Sequence, residues 1–132
     1  MSSRNSSETG IWGENQAEEF LKAKGYKILG QRVRIGDRDE LDLVARDGKI
    51  LVFVEVKTRG SQDFGRPFTA VDNDKRHVMS RAAVRYLKKI KCSNVNFRFD
   101  VVEVVGNKDA KPPLINHIEN AFMLDRRYSI PY

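Results

Sequence analysis

Ile50-Leu51-Val52-Phe53-Val54 is the most apolar run in the chain, and Glu55-Val56-Lys57 follows it directly. Apolar residues in unbroken succession predict a strand buried on both faces, as in a sheet that helices cover on either side. Glu55 and Lys57 stand two residues apart, so on a strand they point to the same face. Charges at the end of a buried strand cost free energy unless they have a partner or a task.

The segment before this run predicts a hairpin partner for it. Residues 39–45 and 49–58 both have strand character, and Asp47-Gly48 between them is a strong signal for a two-residue turn. In a type I′ turn at Asp47-Gly48, Arg46 pairs with Lys49. A slip of one residue would move every side chain of one strand to the other face, so the predicted site depends on this turn.

This register brings several charged residues onto one face of the sheet. Glu40 falls opposite Glu55. Asp42 falls opposite Phe53, and Lys57 follows on the same side. Asp42 and Glu55 are then diagonal neighbours, within reach of a shared ion. Because like charges that face one another repel, a cation between these carboxylates would be stabilising.

The remaining patterns place the hairpin in a larger α/β fold. Apolar residues at helical spacing predict one helix before the hairpin and another after a loop that contains Gly60, Gly65 and Pro67. The predicted order is helix, three strands, helix, strand, with a further strand at the end, which gives an α/β/α sandwich around a central mixed sheet. The elements outside the hairpin are a helix over 10–24, a strand over 26–35, a helix over 72–91 and strands over 97–105 and 114–122.

Length and composition indicate one globular domain. The 132 residues suffice for one core, so we expect a domain over residues 10–124, with a flexible tail over 1–9 and an irregular tail over 125–132. No apolar run approaches the roughly 20 residues that span a bilayer, and the N-terminal segment lacks the pattern of a secretory signal. A single cysteine, Cys92, fits a reducing cytoplasm.

The net charge of +6 favours a polyanionic partner. The basic residues fall into two groups, one around the first strand and one along the second helix. A solvated helix face and a phosphate-binding surface account equally well for the second group. The groups are Arg32, Arg34 and Arg38, and Lys75, Arg76, Arg81, Arg85, Lys88, Lys89 and Lys91.

The carboxylates of the hairpin suggest a metal-dependent site that cuts phosphodiesters. Asp42 and Glu55 are the predicted ligands of Mg²⁺ or Mn²⁺, since such an ion needs one or two carboxylates and keeps water and substrate phosphate around it. Lys57 would orient the attacking water or stabilise negative charge in the transition state. Glu14 on the first helix would complete the metal shell through water, and Glu40 is either a further ligand or a hairpin-edge residue paired with a nearby arginine. The alternative is a structural patch of salt bridges on a half-exposed sheet.

This set of residues resembles the site of the PD-(D/E)xK nuclease superfamily. There an acid on the second strand and an E-x-K on the third bind the metal, and a glutamate on the first helix often assists. Asp42, Glu55, Lys57 and Glu14 occupy the matching positions. The resemblance implies a restriction-endonuclease-like core of helix, three strands, helix and strand.

From Gly13 to Phe122 the chain is also similar to the YraN-like family of bacterial proteins. This resemblance implies a nuclease-like protein related to Holliday-junction resolvases. Asp39 stands where the family usually has glycine, and no proline precedes Asp42, so the number of metal ions stays open. Matching stretches include Glu40-Leu41-Asp42-Leu43-Val44-Ala45, Val52-Phe53-Val54-Glu55-Val56-Lys57-Thr58-Arg59, Phe99-Asp100-Val101-Val102 and His117-Ile118-Glu119-Asn120-Ala121-Phe122.

The resulting hypothesis is a Mg²⁺- or Mn²⁺-dependent endonuclease that acts on DNA rather than RNA, with branched DNA as a candidate substrate. Arg59, Lys75 and Arg76 are the predicted nucleic-acid contacts, and His117 is interpreted as an ordinary strand or loop residue. A nuclease that cuts two-fold symmetric junctions is expected to form a homodimer. The alternatives are a non-catalytic nucleic-acid-binding module that keeps the nuclease fold and a scaffold protein with a structural charged patch.

Overall fold

The computed structural model describes residues 3–60, 73–91, 94–109 and 112–125, with the backbone alone for residues 3–7. In these ranges the elements follow the predicted order, including the last strand. Neither helix of the described ranges is long and apolar enough to cross a membrane. The elements are α1 (Ser3–Ala23), β1 (Lys27–Ile35), β2 (Asp39–Asp47), β3 (Ile50–Arg59), α2 (Asn73–Lys89), β4 (Asn96–Val105) and β5 (Leu114–Phe122).

The strands form one mixed sheet in the order β1-β2-β3-β4-β5. The first three strands are antiparallel neighbours, whereas β3 and β4 run parallel. A parallel pair needs a crossover connection, and α2 lies in the segment that joins the two strands. β5 then pairs antiparallel with β4 at the sheet edge. The predicted mixed sheet is confirmed.

The two helices cover opposite faces of the sheet. Val52 and Val54 of β3 belong to the core cluster that contains buried residues of α1. Leu51 and Phe53 belong to the cluster that contains buried residues of α2. Alternate residues of β3 therefore pack under different helices, as the unbroken apolar run predicts. This arrangement confirms the α/β/α sandwich, and the two sides of the sheet are called the α1 face and the α2 face below.

The first helix begins earlier than predicted. α1 starts at Ser3 instead of about residue 10, so residues 3–9, predicted to be a tail, are helical. The predicted C-terminal tail from residue 126 onward, Cys92 and most of the loop before α2 lie outside the described residues.

The β2–β3 turn also differs from the prediction. Asp47 pairs with Ile50, so the two-residue loop is Gly48-Lys49. The prediction of a type I′ turn at Asp47-Gly48 was wrong. Gly48 has φ of 61°, which glycine supplies at the first central position of a type II′ turn. Each β2 residue in this ladder therefore lies opposite a β3 residue two positions further along than predicted. Because the side-chain period of a strand is two, this shift by itself leaves the faces unchanged.

α1 approaches β3 closely at Gly13. A Cβ atom on Gly13 would collide with Oγ1 of Thr58, so this position accommodates no larger side chain without a shift of the helix or of Thr58. The contact holds the first half of α1 against the charged end of β3, where Glu55 and Lys57 lie.

Candidate active site

Two carboxylates meet where β2 and β3 leave the apolar core. The β2–β3 ladder ends with the pair Leu43–Val54, and the next step along both strands brings Asp42 beside Glu55. Oδ2 of Asp42 accepts a hydrogen bond from the backbone N–H of Val56 at 2.9 Å. The backbone of β3 thus fixes the Asp42 carboxylate directly beside Glu55. The side chains of the two acids lie within hydrogen-bonding distance of each other, just beyond the last pair of the β2–β3 ladder.

The surroundings of Glu55 favour its protonated form. Its side chain is 11% exposed, and Nζ of Lys75 on α2 lies 3.1 Å from its Oε2. Burial, followed by the hydrogen bond and the charge of Asp42, raises the pKa of Glu55 to about 8 in spite of Lys75. A single ammonium therefore does not offset the burial of one carboxylate beside another. The pair would be stabilised by further positive charge.

Glu14 of α1 lies within electrostatic reach of this pair. Burial and then the charge of Asp42 raise the pKa of Glu14, whereas Arg32 lowers it. Nε of Arg32 donates a hydrogen bond to Oε1 of Glu14 at 2.7 Å. Arg32 has φ of 52°, a left-handed conformation that non-glycine residues rarely adopt. Glu14 therefore has a cationic partner of its own, which the sequence did not indicate.

Glu40 does not join the carboxylate pair. Asp39 and Leu41 on either side of it both point to the α2 face, where Asp39 contacts α2 and Leu41 enters the core. Glu40 lies between them and is exposed, so its side chain points away from that face. Leu43 packs on the α1 face although it follows Leu41 by two residues, so the alternation of β2 is interrupted between them. The prediction that Glu40 shares the face of the pair was wrong for this reason.

Lys57 lies on the same face as Glu55, two residues further along β3, and pairs in register with Glu103 of β4. Glu103 is buried and accepts hydrogen bonds from Nη1 of Arg59 at 2.7 Å and from Nδ2 of Asn116 at 3.3 Å. Within the described residues, Lys57 has no carboxylate partner within 4.0 Å. Arg59 thus neutralises Glu103, and the charge of Lys57 remains available for another group.

The predicted nucleic-acid contacts have different surroundings. Lys75 touches Glu55 and so lies at the carboxylate pair itself. Arg59 is held by Glu103. Arg76 is half-buried, and its Nε has no hydrogen-bond partner in the described part of the chain.

Glu103 was missed by reasoning from the sequence. It interrupts the apolar run Val101-Val102-Glu103-Val104-Val105 in the way that Glu55 interrupts the end of β3. A charge inside a buried strand requires a partner, so the same criterion that selected Glu55 could have selected Glu103. The sequence pattern could not have shown that Arg59 is the partner of Glu103, because Arg59 lies on another strand.

A second charged network lies on the α1 face. Asp100 is fully buried, with Nε2 of His117 at 2.8 Å, Nε of Arg98 at 2.9 Å and the backbone N–H of Asn120 at 2.9 Å from its oxygens. Nδ1 of His117 lies 2.9 Å from Nζ of Lys24, the residue that directly follows α1. His117 is in a strand, as predicted, but the sequence gave no indication of these partners.

The donor set of the carboxylate pair fits Mg²⁺ or Mn²⁺. In the described ranges, no three or more His, Cys, Asp or Glu side chains are grouped so that they could hold a metal ion. Asp42 and Glu55 supply two carboxylates, which suffices for an ion that keeps water and substrate oxygens in its remaining positions. Zinc sites usually take three or four protein ligands, several of them nitrogen or sulfur, and these are lacking here in the described ranges.

The family model described as "Uncharacterised protein family UPF0102" matches residues 13–104. The chain belongs to the UPF0102 family. The matched range contains all of the residues discussed for the carboxylate pair, and the resemblance to YraN-like proteins is confirmed.

UPF0102 proteins of several bacteria align with nearly the whole chain. The relative from Caldicellulosiruptor saccharolyticus is 43% identical over 120 residues, which cover 89% of this chain and 99% of that protein. The relative from Syntrophomonas wolfei is 45% identical over 117 residues, which cover 87% and 97%. The relative from Geobacter sulfurreducens is 43% identical over 116 residues, which cover 87% and 88%.

Proposed function

We propose that this UPF0102 protein is a metal-dependent endonuclease that hydrolyses phosphodiester bonds in DNA. The observation that carries the proposal is the contact between Asp42 and Glu55, two acids at the buried end of a strand with Lys57 two residues beyond. Burying one carboxylate beside another is unfavourable, and ionisable groups in such surroundings are concentrated at functional sites. The spacing and the shared face of the three residues suit phosphodiester hydrolysis.

Each residue of the site has a role in this proposal. Asp42 and Glu55 would hold Mg²⁺ or Mn²⁺, which polarises a phosphate oxygen and makes water a stronger nucleophile near neutral pH. Lys57 orients the attacking water or stabilises the negative charge that develops on the phosphate. Lys75 neutralises part of the charge of Glu55. Glu14 contributes through water, beyond its ion pair with Arg32.

The substrate and the assembly rest on the resemblance and on the charge of the chain. A net charge of +6 suits a nucleic-acid partner, and the resemblance to junction resolvases favours branched DNA over RNA. A homodimer would match the two-fold symmetry of a junction. The proposed location is the reducing cytoplasm, which a chain with a single cysteine fits.

Cleavage of labelled four-way junction, duplex and single-stranded DNA with Mg²⁺ or Mn²⁺ tests this function. Glu55→Gln and Lys57→Met should each lower the rate by about 10²–10³-fold, the size of effect expected when one charge-stabilising group is removed. Glu40→Gln removes one exposed acid elsewhere on β2 and is the matched control, with an expected rate close to that of the wild type. Cleavage that survives Glu55→Gln, or a wild type that cuts none of the substrates, would refute the proposal.

A non-catalytic nucleic-acid-binding module is the second candidate. The ion pair between Lys75 and Glu55 favours it, because a protein cation already offsets part of the charge that a metal would offset. This alternative predicts that the wild type binds DNA without cutting it, and that Glu55→Gln binds equally well. Binding by fluorescence anisotropy alongside the cleavage assay distinguishes the two.

A further inference from the structure

In the described ranges, the basic residues of the second helix outnumber the acids that are paired with them. α2 has six basic residues against one acid, Asp74. Lys75 is paired with Glu55, and Arg81 is paired with Asp39 of β2. The remaining basic residues include Arg85, Lys88 and Lys89, which are exposed. Lys88 and Lys89 lie in the last turn, where the helix dipole favours cations.

Arg85 precedes the last turn of α2 and lies against the turn between β1 and β2. Its Nη1 is 2.8 Å from the position that a Cβ atom on Gly36 would occupy, and Gly36 has φ of 67°. Arg34 supports the same turn by donating from Nη2 to the carbonyl oxygen of Asp37 at 3.3 Å. The guanidinium of Arg85 is therefore placed over a turn whose backbone is itself held in position.

Three arginines lie near the buried carboxylate of Asp39. Arg81 donates two hydrogen bonds to it, each at 2.7 Å, and these bonds lower its pKa. The charges of Arg38 and Arg85 lower the pKa of Asp39 further, so both guanidinium groups are near it. Asp39 can neutralise one of the three charges. Arg38, Arg81 and Arg85 are called the arginine cluster below.

Arg38 and Arg85 are the exposed members of this cluster. Neither has an ion-pair partner within 4.0 Å in the part of the chain that the structure describes. The carboxylate of Asp37 in the same turn offsets one charge, but Lys88 follows Arg85 by three residues on the same side of α2. The exposed surface is therefore positive, and its centre is fixed by a bidentate ion pair.

The arginine cluster lies on the same face of the sheet as the carboxylate pair. Asp39 and Asp42 are three residues apart on β2, a separation of about 10 Å at roughly 3.3 Å per residue. Lys75 and Arg81 are six residues apart on α2, about 9 Å along the helix axis. The cluster is therefore about 10 Å from the proposed cleavage position, within reach of a backbone phosphate close to the scissile one.

We propose that Arg38 and Arg85, which lie beside the Arg81–Asp39 pair, bind backbone phosphates of the nucleic acid to one side of the scissile bond. The inference rests on the proposed function for the identity of the partner, and it adds the path of the strand along the first half of β2 and the exposed side of α2. Arginine suits this role because its planar guanidinium matches phosphate geometry. Contacts of this kind position the substrate without reading its sequence.

The test compares two double variants that lose the same charge. The variant Arg38→Gln with Arg85→Gln removes the exposed members of the cluster. The control variant Lys27→Gln with Lys49→Gln removes two exposed lysines at the end of the strands away from the cluster, one at the start of β1 and one in the β2–β3 turn. Binding of a fluorescein-labelled 30-base-pair duplex is measured by anisotropy with Ca²⁺ over a range of salt concentrations. We expect the arginine variant to bind about tenfold more weakly and to lose nearly two from the slope of log K against log salt, and the lysine variant to keep the wild-type slope.

Arg38→Lys with Arg85→Lys protects this test against a folding defect. Since lysine still neutralises phosphate, this variant should recover most of the salt slope. The inference would be overturned if the two glutamine double variants lost affinity equally, or if Arg38→Gln with Arg85→Gln kept the wild-type salt slope. It would also be overturned if Arg38→Lys with Arg85→Lys did not recover the salt slope. A wild type that cuts DNA while the arginine variant binds normally would overturn this inference alone. Arginine-dependent binding without metal-dependent cutting would refute the proposed nuclease activity alone.

Discussion

Asp100 and Glu55 are both buried carboxylates on adjacent parallel strands, yet their surroundings act on them in opposite ways. Burial by itself would raise the pKa of Asp100, but hydrogen bonds from His117, Arg98 and the backbone of Asn120 outweigh it, and the pKa is lowered. For Glu55, burial and the neighbouring acid outweigh one lysine, and the pKa is raised to about 8.

The difference separates a structural network from a candidate ligand site. On the α1 face, donors from two strands satisfy Asp100, so the ionised form is stabilised and no further cation is needed. On the α2 face, the fold places a second acid where Asp100 has donors. A protein gains no stability from the second arrangement, which is the physical reason to assign it a function.

The largest effect should come from breaking the structural network. Asp100→Asn leaves Arg98 without its buried partner, and removal of one member of such a pair usually costs about 3–5 kcal/mol. Urea unfolding measures this change in the free energy of unfolding. Asp47→Asn is the control, because the Asp47 side chain is 43% exposed and its bond to Arg98 should contribute less than about 1 kcal/mol. If the two variants lost similar free energies of unfolding, burial of Asp100 in the network would not be what stabilises the fold.

Metal addition should distinguish the two faces next. If Mn²⁺ binds the pair, an ion concentration of about 100 times Kd stabilises the wild type by roughly 2.7 kcal/mol. Thermal unfolding with and without Mn²⁺ should show this shift in the wild type and in Asp47→Asn. It should be absent from Glu55→Gln, which retains one carboxylate of the pair. An equal shift in Glu55→Gln would place the ion elsewhere.

The metal-free protein should lose stability through Glu55 as the pH rises. The folded pKa of Glu55, about 8, lies above its ordinary value of 4.5, so the folded state holds the extra proton. This contribution is complete below pH 4.5 and is lost as the pH rises through 8.

Thermal unfolding in EDTA between pH 5 and pH 8 checks this sign. Glu55→Gln mimics the protonated acid and should gain a few degrees in Tm over the wild type at the upper end of the range, since about 1 kcal/mol corresponds to roughly 4 °C in a domain of this kind. If Tm differed between the two proteins by the same amount at every pH, Glu55 would not be the group that titrates.

The smallest effect should come from Glu40. Its exposed side chain points away from the carboxylate pair, so Glu40→Gln should change the free energy of unfolding by no more than about 0.5 kcal/mol and leave the Mn²⁺-induced shift intact. The same thermal unfolding series measures both quantities. Loss of the Mn²⁺ shift would mean that Glu40 reaches the ion after all.

The order of the elements and the members of the carboxylate pair were predictable from local patterns. The apolar run before Glu55 predicted a strand buried on both sides, and the turn signal near Gly48 predicted its partner strand. The error in the turn moved the pairing by two residues, which by itself leaves the faces of the paired residues unchanged. Glu40 was misplaced because the interruption of β2 alternation at residues 41–43 leaves no mark in the sequence pattern.

By itself, the amino-acid sequence determined which residues must be buried and which charges stand among them, because strand and helix periodicity depend on neighbours along the chain. Tertiary structure alone decided which charges find partners. Arg59 reaches Glu103, Arg32 reaches Glu14, and Arg81 reaches Asp39 across separations of 44, 18 and 42 residues. Electrostatic interactions depend on distance in space and on burial, so the same kind of acid is satisfied on one face of this sheet and left in need of a cation on the other.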